Sequence, residues 1–177
     1  MHIVDTEDAL KTMHIIADTR EQDTNRARRR YAAFGCPVDR AKLDFGDYSA
    51  LFYLPDNKVF TLADKASVER KMNLDELCMC FCQARKRFTR EFERAKAAGA
   101  RIYLLVEGAS WEDAYAGKYR SQMSPEALVA SMTAWMARYD CHIIMCDEET
   151  TGRLIRDILY REGKERLMKM AEGSEDG

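Results

Sequence analysis

Short apolar runs alternate with longer amphipathic stretches along this chain, a pattern that predicts strands and helices in turn. The run Met13–Ala17 ends in Asp18 and predicts a buried strand with a carboxylate at its C-terminal end. Ile102–Val106 and Cys141–Cys146 predict two further core strands in the second half of the chain.

Strands cluster in the first half of the chain, whereas strands and helices alternate in the second half. Residues 38–54 predict two strands, residues 59–62 a third, and residues 67–71 a fourth that carries a Glu-Arg-Lys triplet. Capping signals and apolar stripes predict helices over residues 24–34, 73–98, 124–139 and from Thr151 onward. These elements favour an α/β fold in which helices flank a mixed central sheet on both faces.

Length and composition are those of one folded domain. The 177 residues, of which 46% are hydrophobic, suit a single domain with a full core. We expect this domain to span residues 1–177 with its core over about residues 13–165, and residues 1–12 and 172–177 to be flexible. No run reaches the ~18 apolar residues that span a membrane, and no apolar leader is visible, so we expect no membrane contact and a cytoplasmic location.

The six cysteines are expected to be reduced thiols in that compartment. Three of them, Cys78, Cys80 and Cys82, lie close enough in sequence to raise the question of a zinc site. Their spacing is not Cys-x-x-Cys, and residues two apart on a helix do not share a face. Ordinary buried or partly exposed thiols are therefore favoured over zinc ligands.

The net charge of −2 and a pI of about 6.0 argue mildly against a nucleic-acid binder that is basic overall. Charge is still segregated locally, because one basic cluster covers Arg26–Arg30 and a second covers Arg85–Arg94. A solvated helix face explains each cluster as well as contact with a polyanion does. The sequence leaves the role of both clusters open.

Acidic side chains stand at or near the predicted ends of three strands, and a lysine follows one of them. The acids are Asp18, Asp47 and Glu69, and side chains from neighbouring strand ends converge. Lys71 shares a strand face with Glu69, whereas Arg70 points to the other face and offers its backbone carbonyl beside Glu69. Such oxygens suit Mg²⁺, which neutralises a scissile phosphate and activates water. The pattern indicates phosphodiester hydrolysis, in which Lys71 orients the attacking water or stabilises negative charge.

Three segments and one later residue resemble a known family. They are Asp18-Thr19-Arg20-Glu21, Phe45-Gly46-Asp47-Tyr48, Val68-Glu69-Arg70-Lys71 and Asp75. Together they resemble the nuclease domain of the XPF family over about residues 13–146. The resemblance implies a restriction-endonuclease-like core, dependence on Mg²⁺ or Mn²⁺, and cleavage of flap, fork or other branched DNA in repair, recombination or phage DNA processing.

The resemblance also implies a role for each matching residue. The metal ligands would be Asp18, Asp47, Glu69 and the backbone carbonyl of Arg70. The three carboxylates and Lys71 would form the catalytic centre. Supporting residues would be Arg20, Glu21, Arg70 and Asp75, the last at a helix start where the dipole favours any carboxylate. Arg20 and Arg87 would contact the phosphate backbone.

Two departures from the family bear on the substrate. The sequence shows neither the tandem helix-hairpin-helix pattern that many members carry nor a helicase region, so DNA binding is expected from the core, from self-association or from a partner. We expect a homodimer, the commonest soluble oligomer. The alternatives are a non-catalytic DNA-binding scaffold, which the intact motif disfavours, and a nuclease of the same core chemistry that acts on another nucleic acid.

Overall fold

One mixed sheet of seven strands runs through the computed structural model, which describes residues 3–55 and 57–173. Its strands are β1 (His14–Asp18), β2 (Val38–Ala41), β3 (Tyr48–Tyr53), β4 (Val59–Thr61), β5 (Ala66–Lys71), β6 (Arg101–Glu107) and β7 (His142–Cys146). The strand order is β2-β1-β3-β5-β6-β7, and β4 pairs with β3. β3 runs antiparallel to β1, β4 and β5, whereas the β1–β2, β5–β6 and β6–β7 pairs are parallel.

The described residues form seven helices, which cover both faces of the sheet. They are α1 (Ile3–Lys11), α2 (Asn25–Phe34), α3 (Leu74–Phe81), α4 (Arg85–Ala97), α5 (Trp111–Ala116), α6 (Pro125–Tyr139) and α7 (Glu148–Glu172). α3 to α6 pack on one face around Trp135, and α1, α2 and α7 pack on the other around Phe52. Leu104 faces the first core and Leu105 the second, as strand alternation requires. This arrangement confirms the predicted fold class.

No helix among the described residues is both long and apolar enough to cross a membrane.

The start of the chain differs from the expectation of a flexible segment. Residues Ile3–Lys11 form α1, in which Ala9 and Leu10 are only 1% and 5% exposed. They follow the buried Thr6 by three and four residues, the spacing of an amphipathic helix. At the other end α7 runs to Glu172, and residues 174–177 of the expected flexible tail lie outside the described residues.

The helix predicted over residues 73–98 is divided into α3 and α4. The chain leaves helical geometry at Cys82, where φ is −106° and ψ is −92°, and resumes it at Arg85. Phe81 and Phe88 lie on opposite sides of the break, and their rings still meet edge to face at 5.7 Å. Phe81 and Phe88 are seven residues apart, which is about two helical turns, so both point to the same face. The apolar periodicity therefore continues across the break and does not reveal it.

The residues that connect β2 to β3 form no strand, although their pattern alternates. Leu43 and Phe45 are 3% and 2% exposed, yet residues 42–47 are irregular. The Leu43 N–H donates to a carboxylate oxygen of Asp18 at 2.7 Å instead of joining a ladder. Side-chain acceptors thus replace sheet partners, and the loop carries Asp47 to the start of β3.

Candidate active site

The predicted acidic residues gather at one edge of the sheet. The C-terminal ends of β1 and β5 lie there, and β3 begins there because it runs antiparallel to both strands. The edge carries Asp18, Asp47, Glu69 and Lys71. The Asp18 N–H donates to the Asp47 carbonyl at 2.8 Å, and the Asp47 N–H donates to the Val68 carbonyl at 2.9 Å. Backbone hydrogen bonds therefore link the three strand ends.

The Gly46-Asp47 turn is held from several sides. Gly46 has a φ of 77°, and a Cβ at this position would lie 2.5 Å from the Ser67 hydroxyl oxygen. Its N–H donates to the Oε1 atom of Glu91 at 2.7 Å. The Arg70 N–H donates to the Oδ2 atom of Asp47 at 2.8 Å. Only glycine fits the turn, and the turn fixes the direction of the Asp47 carboxylate.

Glu69 and Lys71 form a buried ion pair on one face of β5. The Lys71 Nζ atom lies 2.5 Å from Glu69 Oε1, and the two residues are 8% and 4% exposed. The ammonium also lies 5.3 Å from the centre of the Phe88 ring. Burial lowers the pKa of Lys71, but the charges of Glu69 and Asp47 raise it by more, so the net shift is upward. Lys71 therefore acts as a fixed cation.

The positive charge near Asp47 and Glu69 is too small to offset the cost of burying both carboxylates in their ionised form. Burial and the charge of Glu69 raise the pKa of Asp47 to about 8. Burial likewise raises the pKa of Glu69, and the ammonium of Lys71 offsets this only in part. Two carboxylates that lose water without full compensation provide a favourable place for a cation.

The donor atoms at this edge fit a hard divalent ion. Asp47 and Glu69 supply carboxylates, and the Arg70 carbonyl points to the Asp47 side because its N–H does. Mg²⁺ prefers such oxygens and keeps several waters, so a few protein ligands suffice. Across residues 3–55 and 57–173, no three His, Cys, Asp or Glu side chains form a complete metal site by themselves. A cation held by Asp47 and Glu69 would therefore take backbone oxygen and water as its other ligands.

A cleft of about 260 Å³ opens above these residues, and its lining mixes both signs of charge. The acidic lining residues are Glu21, Asp47, Glu69, Glu76 and Glu91. The basic ones are Arg20, Arg70, Lys71, Arg87 and Arg94. Carboxylates in such a cleft suit a cation, and the arginines suit phosphate groups.

Asp18 lies beside this cleft but does not line it. Its Oδ1 atom accepts hydrogen bonds from the N–H and the Nε of Arg20 at 2.8 and 2.6 Å, and its Oδ2 atom accepts one from the Leu43 N–H. Burial raises the pKa of Asp18, but these hydrogen bonds lower it by more and the net shift is downward. Asp18 thus accepts three hydrogen bonds, through which it holds Arg20 and the loop at Leu43.

The Arg70 side chain lies on the opposite face of β5, where it meets an acid that sequence reasoning missed. Glu107 ends β6, is 1% exposed and contacts three arginines. Its Oε2 atom lies 3.1 Å from both Arg70 and Arg26, and its Oε1 atom lies 3.7 Å from Arg30. Its position could have been recognised from the sequence, because Glu107, like Asp18, is an acid that ends an apolar strand.

Glu21 connects this arginine cluster to the start of β3. Its Oε1 atom accepts hydrogen bonds from Arg30 and from the Tyr48 hydroxyl, both at 2.7 Å. Tyr48 directly follows Asp47, so Glu21 stabilises the strand end that carries this carboxylate.

Asp75 lies outside the cleft at the start of α3, which Asn73 caps by accepting a hydrogen bond from Glu76 N–H. The Asp75 Oδ1 atom accepts hydrogen bonds from the N–H groups of Arg120 and Ser121 at 2.8 and 2.7 Å. It therefore fixes the loop that precedes α6. Through these contacts Asp75 anchors the irregular segment between α5 and α6.

Besides Arg70, three arginines line the cleft. Arg20 is held by Asp18, and Arg94 donates from Nε to the Asp44 carbonyl at 2.8 Å. Arg87 is exposed, and no ion pair joins it to any residue that the structure describes. The sequence analysis assigns neither Arg94 nor Glu91 to the site, because no local pattern shows that this part of α4 lines the cleft.

Comparison with known proteins places this site in a family. The family model for the ERCC4 domain matches residues 17–158. XPF from Aeropyrum pernix is 21% identical with a TM-score of 0.58, over 82% of this chain and 59% of that chain. A second structure, of the same protein in complex with DNA, is 21% identical with a TM-score of 0.59, over 86% of this chain and 66% of that chain.

Likeness at this identity shows the fold, which is that of the XPF nuclease and is restriction-endonuclease-like. The chain spans less than two thirds of the length of either XPF structure. No curated protein sequence matches the chain significantly. Because the family model covers most of the sequence, including the whole candidate site, the chain belongs to the ERCC4 domain family and carries an XPF-type nuclease domain.

Proposed function

We propose that this chain is a metal-dependent DNA endonuclease that hydrolyses phosphodiester bonds. The observation that carries the proposal is the meeting of Asp47, Glu69 and Lys71 at one sheet edge, in a cleft rimmed by arginines. Two undercompensated carboxylates, a fixed ammonium and free guanidinium groups are the parts that phosphodiester hydrolysis needs. Membership of the ERCC4 domain family supports the same chemistry.

Asp47, Glu69 and the carbonyl of Arg70 would hold Mg²⁺ or Mn²⁺. When bound, such an ion supplies charge neutralisation at the phosphate and a water of lowered pKa. Asp18 would join the ligands only by giving up hydrogen bonds that it makes here, so we assign it to support of Arg20 and of the loop at Leu43.

The chain's own residues then orient the reactants. The Lys71 ammonium faces the same side as Glu69 and stabilises negative charge that develops on the phosphate, or orients the attacking water. Arg87 and Arg20 bind phosphate oxygens at the rim and fix the position of the strand. Glu21 and Asp75 keep the strand end and the neighbouring loop in place.

We further propose that the substrate is flap, fork or other branched DNA near a single-strand/duplex junction, in repair, recombination or phage DNA processing. The solved relative in complex with DNA supports DNA as the partner. A homodimer acting in the cytoplasm, at the nucleoid or on phage DNA, fits this role, since a two-fold pair gives a small domain a second contact with DNA.

A panel of labelled duplex, flap, fork, four-way junction and RNA substrates tests this proposal, each with Mg²⁺, with Mn²⁺ and with EDTA. We expect metal-dependent cleavage of branched DNA that is lost in Asp47→Ala and Lys71→Ala. Asp64→Ala and Lys65→Ala are matched controls, because this ion pair precedes β5 at its other end. Cleavage at the wild-type rate in both site variants would overturn the proposal. DNA binding without cleavage would favour a scaffold, and cleavage of RNA another substrate.

A further inference from the structure

The two basic clusters of the sequence differ in the structure. In the first, on α2, the arginines have acidic partners: Arg26 pairs with Glu107 and Glu148, and Arg28 pairs with Asp23. Arg29 lies 3.7 Å from Glu148, and Arg30 pairs with Glu21. This cluster is neutralised by the protein itself and has little charge left for a ligand.

The second cluster, on α4, is not neutralised. Lys86, Arg87 and Arg90 are exposed and, within the part of the chain that the structure describes, form no ion pair. Arg94 is exposed as well, and it donates a hydrogen bond to the Asp44 backbone carbonyl, which has no negative charge to compensate the guanidinium. Unpaired guanidinium groups concentrated on one helix attract a polyanion.

These arginines also lie in line with the candidate active site. Arg87, Arg90 and Arg94 are spaced by three and four residues, which places them along one side of α4. Phe88 and Phe92 face the core, and Arg87 and Arg94 line the cleft. These three residues, the arginine stripe of α4, therefore begin and end at the cleft that contains Asp47.

The length of the stripe matches a short piece of DNA backbone. Arg87 and Arg94 are seven residues apart, which is about 10 Å at ~1.5 Å per residue along a helix. One DNA strand presents a phosphate every ~3.4 Å of duplex axis, so this length covers about three phosphates. The number of arginines over this length thus equals the number of phosphates that the same length of one strand presents.

We infer that Arg87, Arg90 and Arg94 bind consecutive phosphates of one DNA strand that flanks the scissile phosphate. This inference rests on the proposed function and adds the path of the substrate strand. Contacts of this kind position DNA and carry no sequence information, so binding through α4 is independent of base sequence.

The test is the salt dependence of DNA binding, measured by fluorescence anisotropy in EDTA with a labelled fork and a labelled plain duplex. Each arginine that neutralises a phosphate contributes about 0.7 to 0.9 to the slope of log K against log[salt]. We expect each of Arg87→Gln, Arg90→Gln and Arg94→Gln to reduce the slope by about 1, and the triple variant by about 2 to 3.

Arg28→Gln is the matched control, because Arg28 is equally an exposed helical arginine but is paired with Asp23. Its slope should equal that of the wild type. Since Arg94 also supports the loop at Asp44, the Arg87→Gln/Arg90→Gln double variant repeats the test without touching that contact. An unchanged slope in the double variant, with the fold retained in thermal melting, would overturn the inference.

The salt-dependence test of α4 and the cleavage test of the proposed function can fail independently. Cleavage that requires Asp47 and Lys71, together with an unchanged slope, would refute the α4 path alone. A reduced slope in a protein that cuts no substrate would support the path and refute the nuclease.

Discussion

Replacing Gly46 by alanine tests whether the turn before Asp47 is as restricted as its geometry indicates. Gly46 has a φ of 77°, in the left-handed region that costs an L-residue about 1–2 kcal/mol. The new Cβ would also lie 2.5 Å from Oγ and 2.6 Å from Cβ of Ser67, closer than real Cβ contacts. Overpacking of this kind costs about 1–3 kcal/mol. We therefore expect Gly46→Ala to lower the free energy of unfolding by about 2–5 kcal/mol.

The two contributions can be separated with one partner variant and one control. Ser67→Gly removes the two nearest atoms that the new Cβ would meet and leaves the Val68 carbonyl oxygen at 3.3 Å. Gly46→Ala/Ser67→Gly should therefore recover most of the steric part, a coupling of about 1–3 kcal/mol, and retain the backbone part. Gly35→Ala is the control for the backbone part, because Gly35 has a φ of 65° and no atom within 4 Å of the added Cβ. It should cost about 1–2 kcal/mol.

Cleavage per folded molecule is the second measurement. A displaced turn moves Asp47, and a misplacement of about 1 Å at a reacting centre costs on the order of 100-fold in rate. Denaturant unfolding gives the stability, and cleavage of a labelled fork in Mg²⁺ gives the rate. If Gly46→Ala is no less stable than Gly35→Ala, keeps full activity and shows no coupling to Ser67→Gly, the reasoning is refuted.

Two further predictions concern the acids around this turn. Glu91→Ala should lower kcat about 10- to 100-fold because the Gly46 N–H loses its acceptor, whereas Glu91→Gln retains an acceptor and most activity. Glu93→Ala is the control, because Glu93 lies on the same helix as Glu91 and accepts its hydrogen bond from Tyr139 on α6, away from the cleft. Without metal, the stability of the protein should fall as the pH rises from 3.8 towards 8, because burial and Glu69 raise the pKa of Asp47 to about 8 and folding then penalises its ionisation. Asp47→Asn should flatten this fall and abolish the rise in Tm that Mg²⁺ produces at pH 8; an unchanged pH profile in that variant would contradict the assignment.

The sheet and most helices could be predicted because their signals are local. An apolar run that ends in an acid identified β1, and an asparagine cap ahead of an apolar stripe identified the start of α3. The break at Cys82 could not be predicted, because the stripe on both sides keeps one phase. Glu91 and Arg94 also line the cleft, and no local pattern marks either residue as part of the site.

Charge pairing across the fold was equally invisible in the sequence. Arg26 meets Glu107 and Glu148, which lie 81 and 122 residues further along the chain. The basic runs on α2 and α4 have similar composition, and only such distant partners distinguish a neutralised cluster from a free one. Local charge density therefore identifies candidates for a DNA-binding surface, and the tertiary structure selects among them.

Within the site, Asp18 and Asp47 also differ in a way that the sequence does not reveal. Both follow the same rule in the sequence, an acid at a strand end, and both reach the same edge of the sheet. Asp18 is followed by a turn that returns the Arg20 N–H and guanidinium to its Oδ1 atom, while the Leu43 N–H takes its Oδ2 atom. Asp47 leads into a strand, and among the described residues only the Arg70 N–H donates a hydrogen bond to its carboxylate. The pKa of one acid is consequently lowered and that of the other is raised, so the demand for a cation arises at Asp47 and Glu69 and not at Asp18.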